Sequence, residues 1–252
     1  MKNSVDIFRF FKKKKPPRCS VVIAAAGSSD RMNGEDKIYA DICGAPVLSH
    51  TLRAFQDSGL VSEIIIVTRE ENISRASAIC EKFSISKAGR FVAGGSTRLE
   101  SVHNGVRAVS RKSSLIAIHD GARACIDGDT IKKAIEAAAK HHAAAPGLPV
   151  TSTIKRVKNN AIVETVDREG LVEIQTPQVF DADLIKAALY AATEEAPNIT
   201  DDCQAVELLG FPVRVIEGSR DNIKITTRED ITAAEEIFSR GAGRGIRGAQ
   251  GG

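Results

Sequence analysis

Short apolar runs rich in β-branched residues alternate with longer amphipathic stretches along most of the chain. The short runs are too brief for helices and predict strands at residues 20–26, 63–68, 90–94 and 114–120. The amphipathic stretches between them predict helices at residues 46–56, 73–83, 97–110 and 128–144. This alternation is typical of an α/β fold with a Rossmann-like, mostly parallel sheet, right-handed crossovers and helices on both faces.

A different pattern begins after Pro149, where VTSTIKRV, IVETVD and LVEIQT are separated by Asn159-Asn160 and by Gly170. Short alternating strands broken at such residues predict a β-hairpin or meander inserted into the α/β frame. With polar residues on both faces it would make a poor core element. A protruding β-arm at about residues 150–175 that packs on a partner subunit therefore explains it better than a self-contained subdomain.

The α/β pattern then resumes and predicts helices at residues 182–195, 202–209 and 229–240 and a strand at residues 212–217. We expect a basic N-terminal tail at residues 1–18, a domain at 19–240 and a flexible glycine-rich tail at 241–252. The first segment combines aromatic residues with a run of lysines, which would also suit an anionic membrane surface or an acidic partner. A solvated tail is the simpler interpretation.

Composition excludes several classes of function. In 252 residues the chain has 35 Lys and Arg against 32 Asp and Glu, so it lacks the strong positive field of a general nucleic-acid binder. It contains no apolar run near the ~20 residues of a membrane span and no signal peptide, so stable membrane association is not expected. The five cysteines are well separated and form no CxxC pair, which favours free thiols in a reducing cytoplasm over a metal site or disulfides.

The stretch Ser20–Lys37 carries the first candidate chemistry. An apolar run leads into a turn of small residues, and Arg31 and Lys37 follow that turn. Small residues let backbone N–H groups approach phosphate oxygens, and the two cations offset phosphate charge. The stretch matches neither GxGxxG nor the P-loop pattern, so it predicts a polyphosphate site without a dehydrogenase or P-loop ATPase function.

Further polar clusters follow other predicted strands, namely GGSTRLES at 94–101, HDGAR at 119–123 and RDNIK at 220–224. A lone aspartate at a strand end is more often a cap than a metal ligand. Here, however, Asp120 and Asp221 accompany several basic residues at one predicted edge of the sheet, where ligands of α/β proteins gather. Few carboxylates with many cations is the composition of a magnesium–polyphosphate site.

The motifs AAAGSSDRM with Lys37, GGSTRLESV, HDGAR, TIKR, TVDREGL, QTPQVF, TDD and DNIKIT follow one another in the order and approximate spacing of a known family. Over about residues 20–238 the chain resembles the 2-C-methyl-D-erythritol 4-phosphate cytidylyltransferases of non-mevalonate isoprenoid biosynthesis. The resemblance implies a nucleotidyltransferase that makes 4-diphosphocytidyl-2-C-methyl-D-erythritol and pyrophosphate. The ligands it implies are CTP, a polyol phosphate and Mg²⁺ or another divalent cation.

The resemblance also implies residue roles. Arg31 and Lys37 would act on the α-phosphate and the departing pyrophosphate, while Arg168 and Lys224 would hold the substrate phosphate. Nucleotide binding would fall to Ala24, Ala25, Ala26, Gly27, Gly94, Gly95, Arg98 and Ser101. Arg123 and Thr153 would contact the polyol phosphate or the nucleotide, and Asp120, with Asp221 as a helper, would bind the metal. In this family the arm crosses to a second subunit, so Thr153 and Arg168 would complete the partner's site in a homodimer.

Three positions depart from the family pattern. Asp36 stands beside Lys37 where the family usually has proline, and an acid there is expected to weaken the hold of Lys37 on pyrophosphate. Ala124 replaces a proline that would stiffen its loop, and Ser152 replaces an aspartate before the arm threonine. These departures motivate one alternative, a non-catalytic nucleotide-binding regulatory module. The other alternative is a ribitol-5-phosphate cytidylyltransferase, which would share the loop chemistry and differ in the polyol pocket.

Overall fold

The structure is a computed structural model that describes residues 18–27, 36–196 and 198–245, the last five of these by their backbone only. Arg31, residues 1–17 of the predicted N-terminal tail and residues 246–252 of the predicted C-terminal tail lie outside these ranges. In the part of the chain that the structure describes, no helix is both long and apolar enough to cross a membrane.

The described residues form a mixed, mostly parallel sheet of eight strands. Its strands are β1 (Cys19–Ala25), β4 (Val61–Thr68), β5 (Ala88–Ala93), β6 (Leu115–Asp120), β7 (Ala143–Pro149), β10 (Val172–Ile174), β11 (Gln178–Asp181) and β12 (Arg214–Glu217). They are ordered β10-β7-β11-β6-β1-β4-β5, and β12 pairs with β7. Two small hairpins join β2 (Asp41–Ile42) to β3 (Ala45–Pro46) and β8 (Ile154–Lys158) to β9 (Ala161–Val166). The α/β class predicted from the sequence is confirmed.

Helices cover both faces because successive residues of the central strands point to opposite sides. The helices are α1 (Val47–Asp57), α2 (Ile73–Lys82), α3 (Arg98–Arg107), α4 (Gly128–His141), α5 (Ala182–Glu195), α6 (Asp202–Leu208) and α7 (Arg228–Gly245). Ile64 and Ile66 of β4 join a core with α1, α2, α4 and α7, whereas Ile65 and Val67 join a second core with α3, α5 and α6. Burial on both faces explains why these strands read as continuous apolar runs.

The helix predicted to reach Ala144 ends earlier, at His141. His142 takes a φ of 69°, and the chain then enters β7, whose first alanines are fully buried. Alanine is the strongest helix former, so the sequence favoured continued helix there. Pairing of β7 with β11 and β12 in the sheet overrides that preference.

The predicted arm is smaller than expected. β8 and β9 form an antiparallel hairpin that turns at Asn159 and Asn160, both with positive φ, as the sequence suggested. The third predicted strand of the meander is β10, which pairs with β7 of the main sheet instead. The hairpin exposes Val157, Ile162 and Val163, and the exposed fraction of Ile162 is 66%.

The last helix is longer than predicted. The sequence indicated an end at Arg240, but α7 continues through Gly245. Residues 241–245, predicted as part of the flexible tail, therefore extend this helix.

Candidate active site

A cavity of about 480 Å³ opens where β1, β4 and β6 reach their carboxyl ends. This edge of the sheet is where ligands bind in open α/β folds. The cavity is lined by the small residues Ala24 to Gly27, by Gly95 and Ser101, by the cationic residues Lys37, Arg69, Arg98 and Lys224, and by Asp120. Segments from distant parts of the sequence thus meet in one place, as the strand-end clusters predicted.

Gly94 lets the loop after β5 approach the loop after β1, and Gly95 lets it approach the first turn of α3. A Cβ atom added to Gly94 would lie 2.5 Å from the Cβ of Ala26, and one added to Gly95 would lie 2.3 Å from the Cβ of Glu100. Neither distance is compatible with a side chain. The Ser101 hydroxyl donates to the Thr97 carbonyl at 2.8 Å and accepts from the Gly95 N–H at 3.0 Å, so Ser101 shapes the wall of the cavity.

Arg98 reaches the cavity from the start of α3 and is held by Asp202 of α6. Its Nη1 and Nη2 atoms donate to the two carboxylate oxygens of Asp202 at 3.0 and 2.6 Å, and Asp202 is fully buried. Burial opposes the charge on Arg98, but the surrounding carboxylates, Asp202 foremost and then Asp120 and Asp201, outweigh burial and raise the pKa of the guanidinium. Arg98 is therefore a permanently charged and oriented part of the wall.

Asp120 ends β6 and is surrounded by cationic side chains. Lys224 Nζ lies 2.9 Å from Asp120 Oδ2, and Arg123 Nε donates to the same oxygen at 3.4 Å. Burial alone would raise the pKa of Asp120, yet Lys224, Arg98 and Arg123 together lower it to about 2. Arg123 also donates to the Asn222 carbonyl at 2.7 Å, and it braces Asp120 from within the protein.

His119 fixes the loop that carries Asp120 and Arg123. Burial lowers the pKa of His119 to about 4, so the ring is neutral near pH 7. Its Nε2 lies 3.3 Å from the Arg123 carbonyl, which can only accept, so Nε2 carries the proton. Nδ1 then accepts from the Thr176 hydroxyl at 2.9 Å, and that hydroxyl accepts from the Asp120 N–H at 3.1 Å.

Lys37 begins a 3₁₀ helix, Lys37–Tyr39, beside the cavity. The preceding residue, Asp36, turns its carboxylate to Arg69 and does not itself line the cavity. Arg69 Nη2 lies 2.5 Å from Asp36 Oδ2, and only 7% of the Asp36 side chain is exposed. The unusual acid beside Lys37 is therefore paired.

Arg168 and Thr153 lie apart from the cavity of their own chain. Both are exposed, near the base of the arm, and the Arg168 guanidinium donates to the Thr151 carbonyl. Neither contributes to the lining described above. Arg31, the remaining predicted catalytic cation, lies outside the described residues.

Asp221 is not brought to Asp120. It pairs with Arg240 of α7 at 3.2 Å and lines a different and larger cavity, of about 660 Å³, together with His50, Cys125 and Phe238. Asp221 and Lys224 stand in the same RDNIK motif, but their side chains face different cavities. Of that motif, only Lys224 lines the smaller cavity. Asp221 is therefore not placed to bind a metal together with Asp120.

Sequence reasoning missed three residues that shape the site. Asp202 and Thr176 stand in the TDD and QTPQVF motifs, but their partners are 104 and 57 residues away and could not be inferred. Arg69 had a usable signal. It follows the predicted strand 63–68 directly, the same position that singled out the other clusters.

Comparison with known proteins gives one consistent family. The family model described as 2-C-methyl-D-erythritol 4-phosphate cytidylyltransferase matches residues 19–240. The protein of that name from Halalkalibacterium halodurans is 43% identical over 221 residues, which cover 87% of this chain and 96% of the relative. The one from Caldanaerobacter subterraneus subsp. tengcongensis is 45% identical over 224 residues, covering 88% and 98%.

Solved structures agree. The 4-diphosphocytidyl-2C-methyl-D-erythritol synthase of Anaerococcus prevotii matches with a TM-score of 0.79 and 32% identity, covering 89% of this chain and 97% of the other. The 2-C-methyl-D-erythritol 4-phosphate cytidylyltransferase of Thermus thermophilus matches with a TM-score of 0.73 and 30% identity, covering 87% and 98%. The chain therefore belongs to the 2-C-methyl-D-erythritol 4-phosphate cytidylyltransferase family.

Proposed function

We propose that this protein, a nucleotidyltransferase by family, transfers the cytidylyl group of CTP to 2-C-methyl-D-erythritol 4-phosphate and releases pyrophosphate. The observation that carries the proposal is that Lys37, Asp120 and Lys224 line one cavity together with the small residues Ala24 to Gly27. Cations beside small residues suit the binding of polyanionic ligands.

The protein takes little covalent part in this reaction. A phosphate oxygen of the substrate, already anionic near neutral pH, attacks the α-phosphorus of CTP. The new P–O bond forms as the bond from the α-phosphorus to the bridging oxygen breaks, and pyrophosphate leaves with that electron pair. Because the nucleophile needs no general base, catalysis rests on alignment and on stabilisation of negative charge.

The residues of the cavity suit these tasks together with Arg31 and with Arg168 and Thr153 from a partner's arm. The backbone from Ala24 to Gly27 and the Gly94–Gly95 pair bind the nucleotide, with Arg98 and Ser101 shaping its pocket. Lys37 and Arg31 stabilise charge on the α-phosphate and the leaving group. Lys224 and Arg168 hold the attacking phosphate in line, and Thr153 contacts the substrate. Arg123 serves chiefly to hold Asp120, since only 13% of its side chain is exposed.

Asp120 fits a magnesium ion. It is a carboxylate with a low pKa on the wall of the cavity. Within the described ranges no group of three or more His, Cys, Asp or Glu residues could hold a metal, so the ion would take few protein ligands and complete its shell with phosphate oxygens and water. Bound there, Mg²⁺ would offset triphosphate charge. We expect removal of divalent ions to abolish turnover.

The arm is proposed to build a homodimer. Thr153 and Arg168 lie outside the cavity of their own chain, and the hairpin exposes apolar side chains that a partner would cover. Each subunit would then supply these two residues to the other's site.

All five cysteines are free, which supports a reducing cytoplasm as the compartment.

Purified protein with CTP, Mg²⁺ and either 2-C-methyl-D-erythritol 4-phosphate or ribitol 5-phosphate tests the function. We expect pyrophosphate release and the cytidylylated product with the first polyol. Turnover of ribitol 5-phosphate alone would identify the protein as a ribitol-5-phosphate cytidylyltransferase. Binding of CTP without pyrophosphate release, under varied divalent ions, would identify a regulatory module.

A further inference from the structure

The short helix that carries Lys37 depends on tertiary contacts for its position. It has only three residues, and its N-cap Asp36 makes no capping hydrogen bond through its side chain. A single 3₁₀ turn is not stable by itself, because nucleating a helix costs more than one or two hydrogen bonds return. Ile38 and Tyr39 are buried and anchor the carboxyl side of this turn.

Asp36 anchors the other side of the turn, next to Lys37. Its Oδ2 accepts from Arg69 at 2.5 Å and from Asn72 Nδ2 at 3.3 Å. Tyr39 adds contacts to the same region: its hydroxyl lies 3.4 Å from Thr68 Oγ1, and the Arg75 guanidinium lies 4.0 Å from its ring centroid. All these partners lie between the last residue of β4 and the first turn of α2.

The Asp36–Arg69 pair is poorly optimised for stability. Asp36 Oδ1 and Arg69 Nε are buried, and neither has a hydrogen-bond partner among the described residues. Such a pair adds little net stability, because desolvation of the buried Asp36 carboxylate offsets part of the attraction and Arg69 stays partly exposed. A pair that the described residues satisfy only in part, at the edge of an active site, is better explained by what it positions.

The pair also sets the net charge next to Lys37. Arg69 lines the cavity, and its pKa is raised above the ordinary value, first by the hydrogen bond from its guanidinium to Asp36. The two charges cancel locally, so Asp36 does not repel a polyphosphate. Without Arg69, a buried and uncompensated carboxylate would stand beside Lys37.

We propose that Asp36 and Arg69 are positioning residues for Lys37, holding its helix against the end of β4 and neutralising the acid that precedes it. This inference rests on the proposed cytidylyl transfer. The acid beside Lys37 is then part of the structure that positions Lys37 and does not weaken the site.

The test compares Arg69→Ala, Asp36→Asn and the double variant by steady-state kinetics of pyrophosphate release. We expect Arg69→Ala to lower kcat by about tenfold or more, because the two residues are directly coupled and the carboxylate is left unpaired. Asp36→Asn should lower kcat less. The double variant should be more active than Arg69→Ala, and KM for the polyol phosphate should barely change. Arg69→Lys, which keeps the charge, should fall between wild type and Arg69→Ala.

Arg90→Ala is the matched control. Arg90 pairs with Glu63 at 3.5 Å near the opposite end of β4, and both side chains are partly exposed. Its loss should lower the melting temperature and leave kcat and KM unchanged. If Arg69→Ala does not fold, Arg69→Lys and Asp36→Asn are compared instead. The inference then predicts that both lower kcat and leave KM for the polyol phosphate nearly unchanged.

Two results would overturn the inference: kcat unaffected by every Asp36 and Arg69 change, or a double variant no better than Arg69→Ala at equal melting temperature. Failure of the proposed function looks different. In that case the wild-type protein itself releases no pyrophosphate with CTP and 2-C-methyl-D-erythritol 4-phosphate.

Discussion

At the scale of single residues, the site is organised around the charge on Asp120. Two cationic side chains contact one of its oxygens, and a neutral histidine fixes its backbone through Thr176. Lys224, which would hold a substrate phosphate, thus also helps to keep the carboxylate ionised. A variant at Asp120 changes both the charge balance of the cavity and the pH dependence of stability.

We expect Asp120→Asn to lower the free energy of unfolding near pH 7 by about 2 kcal/mol, the value that corresponds to the lowered pKa. In the wild type this contribution is present above the ordinary pKa of 3.8 and is lost as the pH falls through about 2. The difference between the two proteins should therefore shrink between about pH 4 and pH 2. Denaturant unfolding across this range measures it, and a constant difference would contradict the assigned pKa.

At the scale of elements, the buried contact between Arg98 and Asp202 joins α3 to α6. Gln178 of β11 extends this junction, because its side-chain carbonyl accepts from the N–H groups of Asp202 and Cys203, both at 3.0 Å. The start of α6 is thus tied to the sheet and to the wall of the cavity. A substitution there should lower both the free energy of unfolding and the affinity for the nucleotide.

Asp202→Ala should cost about 3 kcal/mol of unfolding free energy, the lower end for a broken buried pair, because a third of the Arg98 side chain remains solvated. KM for CTP should rise as Arg98 loses its orientation. Asp129→Ala is the control, since it removes only an exposed pair with Lys133 of 2.7 Å and should leave the free energy of unfolding nearly unchanged. Equal losses in the two variants would show that the junction has no special role.

At the scale of the whole molecule, the proposed dimer makes a complementation experiment possible. If Arg168 serves the partner's site, then an equal mixture of Lys37→Ala and Arg168→Ala subunits contains heterodimers with one intact site. Random re-pairing should restore about one quarter of wild-type turnover from two inactive proteins. No recovery after verified subunit exchange would place Arg168 in its own chain's site.

Much of the fold and part of the site followed from local patterns. Strands at residues 63–68 and 114–120 were predictable because burial on both faces leaves continuous apolar runs. The polar clusters at the ends of these strands were recognisable because parallel strands end at one edge. β7 was missed because its alanines favour helix in isolation, and the position of β10 depended on a partner strand remote in sequence.

The sequence by itself determined the α/β class, the order of most of the elements, the resemblance that the comparisons confirmed and the presence of cations at the strand ends. Tertiary structure alone decided which charges meet: Asp36 turns to Arg69, Asp221 turns to Arg240, and Asp120 gathers Lys224 and Arg123. The physical reason is that the hydrophobic periodicity of a sequence reflects how deeply each residue is buried. The direction of a polar side chain is set instead by partners that only packing brings within a few ångströms.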